Sequence, residues 1–145
     1  ILGTFEGQQT GKIKTAHGIT ISYVRQNYED NCGMLTEFAQ EHGLNYQDLL
    51  NNLKKLGLER AVFQTPIQQM SMGQRKRVEL AKSLATPAEL FIWDEPLNYL
   101  DVFNQKQLEE VIHLVEPSML IIEHDRYFLE QVSTKLLTLT IDEVE

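Results

Sequence analysis

Two patterns of apolar residues alternate along the chain. Apolar positions three and four residues apart predict helices, whereas short apolar or alternating runs predict strands. The predicted elements are, in order, strands over 12–14 and 19–24, a helical stretch over 34–60, a helix capped by Ser71 and closed by Pro87, a strand over 90–93, a helix over about 102–114, a strand over 119–122, a short helix that carries Tyr127 and Phe128, and a strand over 135–140. The helix–strand alternation in the second half is typical of a parallel sheet covered by helices, so we predict an α/β fold.

The stretch 34–60 is interpreted as a small helical insert made of two short helices. Thr36 is the expected cap of the first helix, which is predicted to stop near Gly43. Asn45 is the expected cap of the second helix, with Asp48 three residues further on as in a capping box.

The helix after Ser71 has an apolar stripe and a charged face. The positions predicted to be buried are Val78, Ala81, Leu84 and Ala85. The positions predicted to face outward are Arg75, Lys76 and Glu79. The basic run over 75–77 is compatible with a contact to nucleic acid, but a solvated helix face is the commoner case, and Glu79 offsets its charge.

The composition narrows the classes of function. The chain has 145 residues, the size of one domain, and 42% of them are hydrophobic. Its net charge of -8 is unlike the basic excess of a free-standing nucleic-acid binder. One cysteine, Cys32, excludes an internal disulfide framework. The sequence contains neither an apolar run of transmembrane length nor a secretory signal, and its start at Ile1 is interpreted as a cut from a longer protein.

Polar residues with chemical potential follow several predicted strands. Because ligands of parallel sheets bind beyond the carboxyl ends of the strands, these positions are candidate site residues. Asp94 follows an apolar strand and could support Mg²⁺ through water, and the adjacent Glu95 could orient a water for attack on phosphate. A strand-end turn with solvated acids before Pro96 is the alternative, and for this pair taken alone it is the commoner one.

Three further features have both a functional and an ordinary interpretation. His124 could hydrogen-bond a terminal phosphate, and Gln26 could reach a metal or a water, although each residue type is more often an ordinary strand-end or surface residue. The helix start at Ser71, Gly73 and Gln74 favours an anion, although every helix needs a cap.

The order of these parts resembles the nucleotide-binding domain of the ABC ATPases, from just after the phosphate-binding loop to the end of the core. The matching motifs are the Q-loop glutamine Gln26, the signature SMGQ at Ser71, Met72, Gly73 and Gln74, the Walker B strand LFIWDEP with Asp94 and Glu95, the D-loop LNYLD that ends at Asp101, and the switch histidine His124. The resemblance implies a partial P-loop NTPase domain over 1–145, with a parallel core sheet and a helical subdomain over 34–85 that includes the signature helix.

A narrower resemblance is to the ABC-F group. DEPLNYLD is similar to the DEPTNHLD of that group, and EHDRYF is similar to its HDRxF. ABC-F proteins carry two ATPase domains in one chain, lack membrane domains and act on the ribosome. The resemblance therefore implies a cytoplasmic ATPase that acts on the ribosome, and WDEPLNYLD looks most like the members that confer antibiotic resistance by ribosome protection. The motor subunit of an ABC transporter is the alternative, and a non-catalytic interaction module is a second one.

The resemblance also implies roles for the site residues. In the family, two domains close head to tail around two ATP molecules, and the signature of one domain, here Ser71, Met72, Gly73 and Gln74, contacts ATP held by the other. Gln26 and Asp94 would hold Mg²⁺, partly through water, while Glu95 and His124 would be catalytic. Contacts of ABC-F proteins with RNA fall largely on the linker and the arms, so no direct nucleic-acid site is expected in this chain.

The sequence departs from the family pattern at two points. Met72 replaces a signature glycine, which would be penalised if the position needed a positive φ or a close approach of backbone to phosphate. No G-x-x-x-x-G-K-[ST] motif, the Walker A loop, occurs among the 145 residues. We therefore expect the full-length protein to be an ATPase and this chain alone to be inactive.

Overall fold

Three parallel strands form the sheet of the computed structural model, which describes residues 14–139. The strands are β1 (Ile21–Val24), β2 (Leu90–Asp94) and β3 (Met119–Ile122), and their order in the sheet is β1-β2-β3. Val24 pairs with Trp93, and Asp94 pairs with Ile122. Because the strands run in the same direction, their carboxyl ends meet at one edge. The predicted α/β fold with a parallel sheet is confirmed.

The described residues form five helices in addition to this sheet. They are α1 (Leu35–Glu41), α2 (Tyr46–Lys55), α3 (Met72–Ala85), α4 (Val102–Val115) and α5 (Arg126–Val132), with short 3-10 turns over Arg60–Gln64 and Ile67–Gln69. The caps predicted at Asn45 and Ser71 are confirmed, since their side chains accept hydrogen bonds from the backbone N–H groups of Asp48 and Gln74. Asp48 contributes its backbone N–H to this cap, and its side chain is exposed. Each such cap contributes about 1 kcal/mol to stability.

The core joins the helical insert to the sheet through α3. This helix packs against α2 on one side and against β1 on the other. Leu49 and Leu53 of α2 and Leu80 of α3 are fully buried, and each contributes about 1.5–3 kcal/mol relative to an exposed side chain. Trp93 of β2 is also fully buried, and its indole N–H donates to the Ser83 hydroxyl of α3 at 2.9 Å.

Some of the predicted boundaries are wrong. Thr36 does not cap α1, because the cap is Met34, whose backbone N–H donates to the Glu37 carboxylate at 3.1 Å. Among the described residues, 135–139 form no strand: none of them pairs with β3, and the side chain of Leu139 is 95% exposed. Thr140 lies outside the described residues.

Two further differences concern the first half of the chain. β1 begins at Ile21, two residues later than the predicted strand over 19–24. In the segment predicted as a strand over 12–14, residues 12 and 13 lie outside the described part of the chain, and Lys14 is not in a strand.

The charged face predicted for α3 is also wrong. Lys76 is 1% exposed and Glu79 is 0% exposed, and Arg75 is half-buried. α3 is enclosed on several sides, because α2, β1 and the segment that follows β1 all contact it. The buried carboxylate is therefore paired inside the protein, and the run over 75–77 is not a solvated face.

Candidate active site

The carboxyl ends of the three strands bring four of the predicted site residues to one edge of the sheet. Gln26 follows β1, Asp94 ends β2, Glu95 comes directly after it, and His124 follows β3. Gln26 and Asp94 line the same pocket, which has a volume of about 190 Å³. The register explains this arrangement, because the last residue of β1 lies opposite the penultimate residue of β2.

The carboxylate of Glu95 is held between two side chains. Its Oε1 lies 3.2 Å from His124 Nε2, and its Oε2 accepts a hydrogen bond from Asn98 Nδ2 at 2.8 Å. The backbone of Glu95 has a φ of 49°, in the left-handed region, and its N–H donates to the Ile122 carbonyl at 2.8 Å. Backbone strain of this kind at a non-glycine residue is concentrated at functional sites, which favours a functional interpretation of Glu95.

The side chain of Glu123 connects the loop after β2 to the loop after β3. Its Oε2 accepts a hydrogen bond from Leu97 N at 3.2 Å, and its Oε1 accepts one from His124 N at 2.8 Å. Glu123 was not among the site residues predicted from the sequence. The available signal was a carboxylate at the end of β3, the strand paired with the one that ends in Asp94.

The signature residues lie at the start of α3, next to the loop that follows β2. The Ser71 hydroxyl accepts from Gln74 N at 3.2 Å, and the Gln74 side chain accepts from Ser71 N at 2.9 Å. A Cβ on Gly73 would lie 2.7 Å from the carbonyl oxygen of Tyr99. The glycine is therefore required by the close approach of the D-loop backbone rather than by an unusual φ.

Met72 carries no backbone penalty. It is the first residue of α3, is not among the residues with positive φ, and exposes 48% of its surface. A positive φ, the first condition under which methionine would be penalised here, is therefore not met, and the second condition, a close approach of backbone to phosphate, stays a prediction. Its side chain is free to contact a ligand or partner that approaches the start of α3.

Asp101 has an observed structural role at the end of the D-loop. Its Oδ1 accepts a hydrogen bond from Asn104 N at 2.8 Å and so caps α4. The side chain is exposed, so the cap fixes its position without burying it.

A buried ion pair between α3 and the segment after β1 was missed by the sequence analysis. Arg25 Nε donates to Glu79 Oε1 at 2.9 Å, and Asn31 Nδ2 donates to Glu79 Oε2 at 2.7 Å. Burial alone would raise the pKa of Glu79, but the hydrogen bonds from Arg25 and Asn31 outweigh it, so the pKa lies below its usual range. The same pairing raises the pKa of Arg25. The signal in the sequence was a glutamate inside the apolar run of Val78, Leu80 and Ala81.

Lys76 brings a buried positive charge close to the candidate site. Its ammonium lies 5.5 Å from the centroid of the Tyr28 ring. Burial lowers the pKa of Lys76, and the charges of nearby carboxylates act in the opposite direction; those of the candidate site are Glu123, Asp94 and Glu95.

The oxygen donors at the strand ends fit Mg²⁺. Gln26 offers an amide oxygen and Asp94 a carboxylate oxygen, and Mg²⁺ prefers oxygen ligands while keeping several waters. Within residues 14–139, no group of three or more His, Cys, Asp or Glu side chains is placed to hold a metal. This is compatible with Mg²⁺, which commonly takes its other ligands from water and substrate phosphates.

Comparisons with known proteins agree with this arrangement. Residues 3–98 match the family model described as ABC transporter. The chain therefore belongs to this family, and the resemblance to an ABC ATPase nucleotide-binding domain is confirmed. In its described part, no helix is both long and apolar enough to cross a membrane.

Individual relatives point to the ABC-F group. The chain is 35% identical over 150 residues to the ribosome protection protein VmlR of Bacillus subtilis, covering 100% of this chain and 27% of VmlR. It is 25% identical over 126 residues to ABC transporter F family member 5 of Arabidopsis thaliana, covering 83% of this chain and 18% of that protein. The chain thus spans about a quarter of the first relative and less of the second, and its similarity to the ABC-F group is confirmed.

The solved structures extend the similarity to a ribosome-associated protein. The crystal structure of the complex of archaeal ribosomal stalk protein aP1 and the archaeal ribosome recycling factor aABCE1 contains a similar chain, with a TM-score of 0.68 and 26% identity. The match covers 88% of this chain and 26% of that one. The ABC-type fold is therefore shared over most of the chain.

Proposed function

We propose that the protein that carries this chain binds and hydrolyses ATP in a site formed at the carboxyl ends of β1, β2 and β3. The observation that carries the proposal is the position of Glu95, whose Oε1 lies 3.2 Å from His124 Nε2. Both residues lie at the sheet edge where Gln26 and Asp94 share a pocket.

Four residues of this chain have roles in the proposed reaction. Gln26 and Asp94 would hold Mg²⁺, which when bound supplies positive charge to the phosphates. Glu95 orients the attacking water and accepts its proton, because it combines a fixed carboxylate with partial exposure. His124 donates a hydrogen bond to the terminal phosphate in place of the one it makes with Glu95.

The start of α3 would serve a second nucleotide in a composite site. Ser71, Met72, Gly73 and Gln74 present a helix N-terminus whose dipole favours phosphate. We propose that this surface contacts ATP held by a second ABC domain of the same protein. In this arrangement residues 34–85 act as the helical subdomain, a role supported by the contacts of α1 and α3 with α2.

We further propose that the protein is cytoplasmic and acts on the ribosome, with antibiotic resistance by ribosome protection as its function. Support comes from the names of the similar proteins, which include a ribosome protection protein and a ribosome recycling factor. The net charge of -8 is compatible with the proposal that RNA is contacted elsewhere in the protein. The second candidate is the motor subunit of a transporter, which is favoured by the description of the matching family.

Substitution of Glu95 tests the proposed hydrolysis. In the complete gene product, Glu95→Gln should lower kcat for ATP by about a hundredfold or more, because a general base typically contributes 10²–10⁴. Glu110→Gln, an exposed position on α4, is the matched control and should keep the parent kcat. Parental turnover by Glu95→Gln would exclude Glu95 as the catalytic residue.

The 145-residue chain by itself should show no Glu95-dependent turnover. The reason is that the G-x-x-x-x-G-K-[ST] motif, which supplies the phosphate cradle, does not occur in it. Steady-state phosphate release from the purified chain, compared with its Glu95→Gln variant, measures this. Turnover that disappears in the variant would contradict the prediction.

Fractionation separates the ribosome proposal from the transporter alternative. Under ATP, the Glu95→Gln protein should sediment with purified ribosomes through a sucrose cushion, and Glu110→Gln should do so less. Association of the complete protein with membrane vesicles and not with ribosomes would favour the transporter motor.

A further inference from the structure

We infer that Glu79 is a positioning residue that holds both ends of the loop carrying Gln26, and so places Gln26 relative to the signature helix. This loop, residues 25–31, connects β1 to the helical insert and is called the Q segment below. The inference rests on the proposed function, because Gln26 matters only if the site binds Mg²⁺ and ATP.

The first end of the Q segment is fastened by three contacts to a single carboxylate. The Glu79 Oε1 accepts hydrogen bonds from Arg25 Nε at 2.9 Å and from Arg25 backbone N at 3.3 Å. Arg25 NH2 donates to Glu79 Oε2 at 3.3 Å. β1 ends at Val24, so Glu79 takes up the backbone N–H that follows the sheet ladder and extends the order of the strand to the residue before Gln26.

The second end of the Q segment reaches the same carboxylate. Asn31 is 1% exposed and donates to Glu79 Oε2 at 2.7 Å. Asn31 Oδ1 also accepts from Arg25 NH2 at 3.1 Å, which joins the two ends directly. Gln26, in between, is exposed, so its position depends on the anchoring of the segment, by these two ends and by the buried Tyr28, rather than on packing of its own side chain.

The charge of Glu79 is stabilised inside the protein by its partners. A buried carboxylate is costly unless it is paired and hydrogen-bonded, and apart from Lys82 of the same helix at 4.0 Å, the partners of Glu79 belong to the Q segment. Glu79 belongs to α3, whose first turn carries Gly73 and Gln74. The same helix therefore carries the signature residues at its start and Glu79 about two turns later. Because a helix rises by only ~1.5 Å per residue, the two lie close together along its axis.

The test uses the complete gene product and the substitution Glu79→Gln. Its matched control is Glu109→Gln on α4, because Glu109 is also a buried helical glutamate, 5% exposed, and pairs with Lys106 at 2.8 Å. Circular dichroism establishes that each variant is folded. If Glu79→Gln does not fold, Arg25→Gln takes its place, because Arg25 is only half-buried and its loss removes the side-chain contacts of Arg25 with Glu79 while the contact of Asn31 with Glu79 remains.

The first measurement is hydrogen–deuterium exchange of peptides that cover residues 25–31. Glu79→Gln should speed exchange there by about tenfold, because charge-assisted hydrogen bonds are lost, and Glu109→Gln should leave it unchanged. Unchanged exchange in Glu79→Gln and in Arg25→Gln would overturn the inference, because Glu79 would not hold the segment.

The second measurement is the Mg²⁺ concentration that gives half-maximal ATPase activity. Glu79→Gln should raise it by about tenfold, whereas in a Gln26→Ala background it should add less than about twofold, since interacting residues are not additive. A full additional shift in that background would show that Glu79 does not act through Gln26. Absence of Mg²⁺-dependent turnover in the parent would refute the proposed function instead, and the exchange measurement would then decide alone whether Glu79 holds the Q segment.

Discussion

Glu95 combines a backbone conformation that is unfavourable for its residue type with contacts that fix its side chain. A non-glycine residue in the left-handed region costs about 1–2 kcal/mol, and the φ of Glu95 is 49°. The hydrogen bond from its N–H to Ile122 and the contacts with Asn98 and His124 offset this cost. The conformation turns the side chain from the strand direction toward the loop after β3.

The substitution Gly73→Ala tests whether the D-loop packs against the start of α3, because the sign of the change in stability depends on that contact. Alanine in a helix is ordinarily more stable than glycine by about 0.5–1 kcal/mol, but here its Cβ would lie 2.7 Å from the Tyr99 carbonyl oxygen. Gly73→Ala should therefore destabilise the protein by about 1–3 kcal/mol, in the range of overpacking. Urea denaturation measures the change, with the exposed position Met72→Ala as a nearly neutral control. Stabilisation by Gly73→Ala would show that the D-loop does not pack there.

The ion pair of Glu79 predicts a dependence of stability on pH. The pKa of Glu79 in the folded protein lies below its ordinary value of 4.5, so its stabilising contribution is present above pH 4.5. That contribution is lost as the pH falls from 4.5 through the lower pKa of the folded state. The free energy of unfolding of the parent should fall in this window more steeply than that of Glu79→Gln. Equal slopes would contradict the assignment of a paired, charged Glu79.

At the scale of elements, the apolar periodicity was sufficient to predict most helices and strands. Val102–Val115 differs by one residue from the predicted helix, and the strand over 119–122 agrees at both ends. These elements are specified by local sequence, because the spacing of their apolar residues matches the period of one element type. The predicted strand over 135–140 is wrong over 135–139, because a strand also needs a neighbour, and none of these residues pairs with the described sheet.

Part of the candidate site could also be predicted from the sequence, because parallel strands determine which residues meet at the sheet edge. Residues after β1, β2 and β3 are adjacent because parallel strands end at one edge, so Gln26, Asp94 and His124 could be grouped from the sequence. The buried positions of Lys76 and Glu79 could not be predicted in this way. A charged residue in a helix is expected to be solvated, and only the positions of the surrounding elements show that its partners enclose it.

The end of α4 provides a prediction with an internal control. Glu116 has a φ of 47° at the C-cap, a left-handed conformation that glycine adopts without strain. Glu116→Gly should therefore stabilise the protein by about 0.5 kcal/mol, the strain relieved less the entropy lost. The same substitution at Glu110, in the interior of α4, should destabilise it by about 1 kcal/mol. Thermal unfolding of both variants measures the difference, and the same sign in both would contradict this account of the cap.

At the scale of the whole molecule, the sheet edge and the start of α3 are the two surfaces that we propose to be functional. The edge carries Asp94, Glu95 and His124, and the start of α3 carries Ser71 and Gln74. The D-loop backbone at Tyr99 lies against Gly73 and joins the two surfaces. A displacement of the D-loop at one surface therefore acts directly on the residues of the other surface.

We propose that Glu95 activates water for hydrolysis of ATP held at this sheet edge. The most direct test is to load the complete Glu95→Gln protein with radiolabelled ATP and Mg²⁺, remove free nucleotide by gel filtration and identify what remains bound. The variant should retain unhydrolysed ATP, while the parent should retain mainly ADP or no nucleotide. Release of ADP by the variant at the parent rate would contradict it.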